Sequence, residues 1–250
     1  MSDEELLSLG ASLDSIYINR STYDCALLAA GCAIEAVDKI MKGTCVNAFA
    51  LIRPPGHHAS RELASGFCFF NNVVVAARYA LKNYPDKCKR ILMIDYDFHH
   101  GNGVQRLVEE DENILYISLH GYHDGDEYPF EQLSNYTTSS KNIINVPWNE
   151  DRMGDPEYIL AYLAVVLPPP TSSIQTWCSF RAASMRPSTI HSAVITSLQP
   201  PSDTSYTTCC RSHPVAWSPA LRAATISTRS QRARPMLSRC YSATHLRRSH

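Results

Sequence analysis

The chain has 250 residues, a formal net charge of −1 and nine cysteines. This length suits one domain with a sizeable core, and the charge gives no reason to expect a nucleic acid or an anionic membrane as a partner. The cysteines show neither C-x-x-C pairs nor regular spacing, which argues against a zinc ribbon or a disulfide framework. The apolar run at 26–34 is too short to cross a bilayer and no signal peptide is evident, so we expect a soluble intracellular protein.

The two parts of the chain differ in composition. Residues 1–167 hold 13 Lys and Arg against 23 Asp and Glu, whereas residues 168–250 hold 10 Arg, no Lys and one acid, Asp203. The second part also lacks glycine, and 16 of its 83 residues are serine. No hydrophobic period persists there. We therefore predict a folded domain over 1–167 and a disordered, Ser/Arg/Pro-rich tail over 168–250.

Helix and strand patterns alternate through the first part. Ser21 or Thr22 can cap a helix that ends near Met41, followed by Lys42 and Gly43. Further helices are predicted at 73–83, 104–108 and 156–167. This alternation predicts an α/β fold with a parallel sheet. The strands expected to be parallel neighbours lie at 46–53, 90–97, 114–120 and 142–146.

Charged and imidazole side chains follow the most apolar of these strands. Ile91–Ile94 suits a strand buried on both faces, and Asp95, Asp97 and His99 come directly after it. In open α/β sheets ligands bind at this edge, and alternation along an extended chain would put the three side chains on one side. A carboxylate and an imidazole two residues apart can hold one divalent ion, and this nitrogen and oxygen set suits zinc. The alternative is an ordinary strand end with solvated side chains, which does not require so many metal-binding groups.

A second histidine pair follows another predicted strand, in the segment Arg53-Pro-Pro-Gly-His-His58. The two prolines cannot continue a strand, so the chain must leave the sheet, and Gly56 allows a tight turn. Two adjacent imidazoles can divide the work of amide hydrolysis. One takes a proton from a metal-bound water, and the other stabilises charge or protonates the leaving amine. A lone pair is more often inert, but two pairs at two strand ends favour a site.

Three motifs in this order, at 53–58, 66–72 and 95–103, resemble the zinc-dependent histone deacetylases. The resemblance is closest to class II, and to class IIb within it, and it runs from about Glu4 to Leu167. It implies a three-layer, arginase/deacetylase-like α/β fold with a parallel sheet, incomplete here because the family domain has further elements before position 1. Arginases bind two metals through Asp-x-His-x-Asp. The segment that begins at Asp97 lacks the final Asp, which favours one metal.

The resemblance also implies roles for single residues. His57 and His58 match the tandem catalytic histidines, with Asp95 orienting His57 and Asn102 contacting His58. Asp97 and His99 match two of three zinc ligands. The wall of an acetyl-lysine tunnel is matched by Gly66, Phe67 and Tyr128. A structural potassium site is matched by Asp95, Asp97, His99, Ser118 and Leu119.

The activity implied is hydrolysis of Nε-acetyl-lysine, with His57 removing the proton from water. The substrate would be an acetylated protein, such as a histone or a cytoplasmic protein such as tubulin, in the nucleus or cytoplasm. One alternative is hydrolysis of an acetylated polyamine, and another is a catalytically dead interaction or regulatory fragment. Two family features are missing: the Asp of a Gly-Phe-Asp segment, which is the third zinc ligand, and the oxyanion-stabilising tyrosine of Gly-Gly-Tyr. We therefore expect this chain to be impaired.

A shifted reading frame of the tail can encode the two missing family features. When the third base of each codon is joined to the first two bases of the next, Ser173–Met185 can encode Asn-Pro-Asp-Leu-Val-Leu-Val-Ser-Gly-Gly-Phe-Asp. The same shift over Leu221–Ser230 allows Glu-Gly-Gly-Tyr-Asn-Leu-Asp-Ser-Ile. Trp177 and Met185 have single codons, and both comply. We predict that the tail is the family sequence translated out of frame, with the switch between about 168 and 171. A true disordered tail is the alternative.

Overall fold

A computed structural model describes residues 1–136, 140–151, 153–166, 176–181 and 192–198, the last two segments as backbone only. No helix in these ranges is long and apolar enough to cross a membrane. The helices are α1 (Asp3–Ala11), α2 (Thr22–Met41), α3 (Asn72–Asn83), α4 (Asn102–Val108) and α5 (Asp155–Ala161), which continues as a π-helical turn at Tyr162–Val166. The strands are β1 (Asn47–Ile52), β2 (Ile91–Asp95), β3 (Ile114–Gly121), β4 (Ile143–Trp148), β5 (Thr176–Arg181) and β6 (Ser192–Leu198).

The strands form one sheet in the order β1-β6-β5-β2-β3-β4. β2 pairs in parallel with β3 on one side and with β5 on the other, and β3 pairs in parallel with β4. β6 is antiparallel to both of its neighbours, β1 and β5. The C-terminal ends of β1, β2, β3 and β5 therefore lie along the same edge of the sheet.

Helices cover both faces of the sheet, and β2 packs against the helices of both faces. Alternating residues of this strand face opposite ways: Ile91 and Met93 pack in a cluster with α2 and α3, whereas Leu92 and Ile94 pack in a second cluster with Ala161 at the end of α5. Every residue of β2 is buried. This double burial explains why its sequence is continuously apolar instead of alternating. The three-layer α/β architecture predicted from the sequence is confirmed.

Two expectations, one about strand order and one about the tail, differ from the structure. The strand now called β1 was expected to neighbour β2, but β6 and β5 lie between them, so this prediction is wrong. Spatial order in a sheet does not follow chain order, because a later segment can insert between earlier strands. The region after Pro168 was expected to be irregular, yet β5 and β6 come from it. The other tail positions lie outside the described residues, so its disorder and shifted frame stay predictions.

Candidate active site

The two predicted histidine segments meet at the C-terminal edge of the sheet. The loop after β1 carries His57 and His58, and the start of α4 packs against it, where the Val104 amide donates to the His57 carbonyl at 3.1 Å. Gly56 is required by close approach, since a Cβ there would lie 2.6 Å from the Asn72 amide nitrogen at the start of α3. This contact, which the sequence did not indicate, packs the loop against the start of α3 and so sets the position of His57 and His58.

His57 is held by a buried carboxylate at the end of β2. Its Nδ1 lies 3.0 Å from Asp95 Oδ2, and the Tyr116 hydroxyl donates to the same oxygen at 2.9 Å. The other oxygen of Asp95 accepts the Asp97 amide at 3.0 Å. Because an ionised carboxylate can only accept, His57 Nδ1 carries the hydrogen and Nε2 is directed away from Asp95. The predicted contact between Asp95 and His57 is therefore present, and its catalytic role stays a prediction.

His58 is held by a neutral partner instead. Its Nδ1 lies 2.9 Å from the Asn102 side-chain oxygen, and the Asn102 amide nitrogen donates to Glu131 Oε1 at 3.0 Å. Arg106 in turn holds Glu131 at 2.8 Å. Because the carboxylate of Glu131 fixes which end of the amide faces His58, the imidazole must donate from Nδ1. This leaves the His58 Nε2 lone pair available for a proton.

The two imidazoles lie close together in contrasting electrostatic environments. Their ring centroids are 3.9 Å apart. Burial lowers the pKa of His57, but the charges of Asp95 and Asp97 and the hydrogen bond to Asp95 outweigh burial and hold that pKa above its ordinary value. Burial, followed by repulsion from His57, holds the pKa of His58 well below its ordinary value. The two adjacent imidazoles therefore differ in how readily they bind a proton, an arrangement that can separate an acid from a base.

Asp97 and His99 lie on the same side of the chain, as their spacing predicted. His99 Nδ1 is 3.5 Å from Asp97 Oδ1, and the same oxygen accepts the His99 backbone amide at 2.8 Å. Both side chains are largely buried, and an imidazole nitrogen beside a carboxylate oxygen is a donor pair that fits zinc. Within the described ranges, no group of three His, Cys, Asp or Glu side chains could hold a metal. Asp97 and His99 are thus two side chains that could hold zinc, and zinc binding stays a prediction.

Three loops meet beside this pair. Phe67 is half exposed and Tyr128 is partly buried, with its ring edge-on to the rings of His58 (4.9 Å between centroids) and His99 (5.5 Å). The Tyr128 hydroxyl lies 2.7 Å from Ser65 Oγ and donates to Asp14 Oδ2 at 3.0 Å. Gly66 has φ +52°, and a Cβ there would lie 2.4 Å from His58 Cδ2. Gly66 and Tyr128 therefore lie against His58, and Phe67 follows Gly66 in the chain. Contact of these three residues with a substrate stays a prediction.

The residues predicted to bind potassium lie at the end of β2, in the segment that follows it, and on the neighbouring strand β3. Asp95 and Ser118 are register partners across β2 and β3, and Ser118 and Leu119 are fully buried. Ser118 Oγ lies 2.8 Å from His120 Nδ1. Potassium binding here stays a prediction.

Sequence reasoning missed three residues that support the histidines. Tyr116 could have been found, because it lies two positions before Ser118 on β3 and so faces the same side of the strand. Glu131 and Arg106 gave no such signal. They reach His58 through Asn102, across 29 positions of chain between Asn102 and Glu131.

His120 gives the site a pH-dependent contribution to stability. Burial lowers its pKa to about 4, although the Ser134 carbonyl accepts its Nε2 hydrogen at 2.8 Å. The unfolded state binds a proton near pH 6.5 and the folded state near pH 4, so this contribution is present above about pH 6.5 and is lost as pH falls through that window.

Between about pH 6.5 and 4, we expect the free energy of unfolding of His120→Gln to fall less than that of the wild type, by on the order of 3 kcal/mol. Urea denaturation at several pH values measures this difference. His123→Gln, which removes a partly exposed histidine, is the control and should leave the loss in place. An unchanged slope in His120→Gln would contradict the assignment.

Comparison with known proteins is consistent with this geometry. The family model described as "Histone deacetylase domain" matches residues 2–171. The chain is similar to histone deacetylase clr3 of Schizosaccharomyces pombe, with 45% identity over 176 residues covering 67% of this chain and 25% of that protein. It is also similar to polyamine deacetylase HDAC10 of Rattus norvegicus, with 44% identity over 170 residues covering 66% and 29%.

A solved structure gives the same result for the fold. The crystal structure of the HDA15 HD domain matches with a TM-score of 0.57 and 39% sequence identity, covering 64% of this chain and 45% of that one. The chain spans a quarter to three tenths of the length of the two relatives named above.

Proposed function

Because the chain belongs to the histone deacetylase family, we propose that residues 1–166 carry the histidine pair and part of the metal site of a zinc-dependent enzyme that hydrolyses Nε-acetyl-lysine in proteins. The observation that supports this most is the pairing of His57 with Asp95 and of His58 with Asn102, beside Asp97 and His99. Two differently held imidazoles next to a metal-binding pair match the needs of amide hydrolysis.

Asp97 and His99 would hold the zinc, with a third ligand from outside the described residues. Zinc, when bound, polarises the acetyl carbonyl and lowers the pKa of water. His58, neutral and with Nε2 free, would accept the proton as water oxygen bonds to the carbonyl carbon, and would pass it to the lysine nitrogen as the C–N bond breaks. His57, whose protonated form Asp95 favours, would stabilise the developing negative charge. The products are lysine and acetate.

This assignment reverses one expectation. The family resemblance implied that His57 takes the proton. The electrostatics favour His58, because the pKa of His57 is held up and that of His58 is held down. A base must be unprotonated before the reaction begins. The difference arises from the partner of each ring, an anion for His57 and a neutral amide for His58.

The substrate and the compartment extend the same proposal. Relatives include both histone deacetylases and polyamine deacetylases, so an acetylated polyamine is the second candidate substrate. Either substrate has an aliphatic stem that would lie between Phe67 and Tyr128. We place the activity inside the cell, in the nucleus or cytoplasm, and a structural potassium ion near Ser118 and Leu119 remains part of the proposal.

Zinc binding tests the proposal directly. We expect the purified chain to bind zinc weakly in competition with a chromophoric chelator, and Asp97→Asn or His99→Gln to abolish that binding because each removes one of two ligands. Asp86→Asn is the matched control, since it removes one carboxylate from an exposed turn. Unchanged zinc binding in Asp97→Asn would contradict the metal assignment. Parallel assays with an acetyl-lysine peptide and an acetylated polyamine compare the two substrates.

A further inference from the structure

His99 is bracketed by two carboxylates, of which the family resemblance accounts for one. Nδ1 faces Asp97 Oδ1 at 3.5 Å, and Nε2, on the opposite side of the ring, faces Glu127 Oε1 at 3.6 Å. The second distance is slightly longer than a hydrogen bond. A hydrogen bond here requires the two side chains to move closer together. His99 and Glu127 are both mostly buried, which limits competition from water.

Glu127 is itself held in place. Its Oε1 accepts the Tyr128 amide at 3.1 Å, and its Oε2 lies 3.4 Å from His123 Nδ1. His123 Nε2 in turn lies 3.5 Å from Asp151. The carboxylate is therefore fixed between two imidazoles, with one oxygen toward each.

The loop that presents Glu127 has an uncommon backbone. His123 and Asp124 have φ 46° and 56°, the left-handed region that non-glycine residues adopt infrequently. The Asp124 amide donates to Asn149 Oδ1 at 3.1 Å, and the Glu127 amide donates to the Tyr122 carbonyl at 3.2 Å. Such conformations persist where surrounding contacts impose them, and they cluster at functional sites.

We propose that Glu127 is a positioning residue for the metal site: its carboxylate accepts the Nε2 hydrogen of His99, so that the Nδ1 lone pair faces the metal beside Asp97. A neutral imidazole has one hydrogen and one lone pair, and the partner of the first nitrogen decides which nitrogen binds the metal. This role rests on the proposed function, because it assumes that His99 is a metal ligand. Glu127 acts only through His99.

The first test is the tautomer of His99 without metal. Long-range ¹H–¹⁵N spectra at about pH 8, with the His99 signal assigned by its loss in His99→Gln, should show the hydrogen on Nε2 in the wild type. Glu127→Leu should lose that preference, and Glu127→Gln, whose amide oxygen can still accept, should retain it. Asp126→Asn is the matched control, since it removes an exposed carboxylate from the same loop.

The second test is zinc affinity by chelator competition. Glu127→Leu should weaken binding about 10–100-fold, the usual effect of removing such a partner, and Glu127→Gln should weaken it less. Asp126→Asn should stay close to the wild type. An equal loss in Asp126→Asn would assign the effect to long-range charge and overturn the proposal, as would a wild-type hydrogen on Nδ1. A wild type that carries the Nε2 hydrogen but binds no zinc would contradict the proposed function while supporting the positioning role.

Discussion

Restoring the alternative reading frame from about residue 168 is expected to raise acetyl-lysine hydrolysis on the order of a hundredfold or more over the chain as it stands. Catalytic zinc normally has three protein ligands, and Asp97 and His99 would supply two. The shifted frame would add an Asp across the codons of Ser184 and Met185 and a Tyr across Ala224 and Thr225. Zinc affinity should rise along with activity, because a complete ligand set forms.

The strand pairing supports the place of that third ligand. β5 pairs in parallel with β2, with Ile94 opposite Ser179, so Arg181 at the end of β5 lies at the edge that carries Asp97. Positions 184 and 185 follow shortly after this strand and lie outside the described residues. A ligand three or four residues past the end of β5 would lie near the edge of the sheet that carries Asp97.

Two measurements decide the frame prediction. The first is the nucleotide sequence: stop codons in the shifted frame, or the absence of the Gly-Phe-Asp and Gly-Gly-Tyr codons, would show that the prediction is wrong. The second compares the present and frame-restored proteins for zinc affinity and turnover of an acetyl-lysine peptide. Hydroxamate-sensitive turnover by the present chain at the level of the restored one would contradict the expected impairment.

Gly103→Ala is expected to lower the free energy of unfolding by about 1–3 kcal/mol or more. A Cβ at this position in α4 would lie 2.4 Å from the Ala59 carbonyl oxygen and 2.6 Å from the carbonyl carbon of His58. These are backbone atoms of the histidine loop, which cannot rotate away as a side chain can. α4 and the loop must therefore separate, and His58 must move with them.

Gly31→Ala is the matched control for this substitution. Gly31 lies in α2 with nothing within 4 Å of its Cβ position, so alanine should raise the free energy of unfolding by about 1 kcal/mol through helix propensity. Urea denaturation of both variants at neutral pH gives the comparison. A Gly103→Ala protein as stable as the wild type would show that the close packing of α4 against the histidine loop is wrong.

The sequence by itself determined the main helices and strands of residues 1–166 and which residues to consider as a site. Buried strands such as Ile91–Asp95 are visible as apolar runs, and the ends of α2 are visible at Ser21 or Thr22 and at Lys42, although the Ser21 side chain makes no capping hydrogen bond. The spacing of Asp95, Asp97 and His99 was sufficient to place these side chains together, because alternation along an extended chain is a local property of the backbone.

Only the tertiary structure decided which partners each side chain has. Nothing local indicates that β5 and β6 lie between β1 and β2, since strand order depends on which surfaces are buried together. The contrast between His57 and His58, adjacent in sequence, comes from Asp95 and Asn102, which lie 38 and 44 positions away. The charge state of a buried imidazole depends on the charges that the fold places around it, and the order of residues along the chain does not specify them.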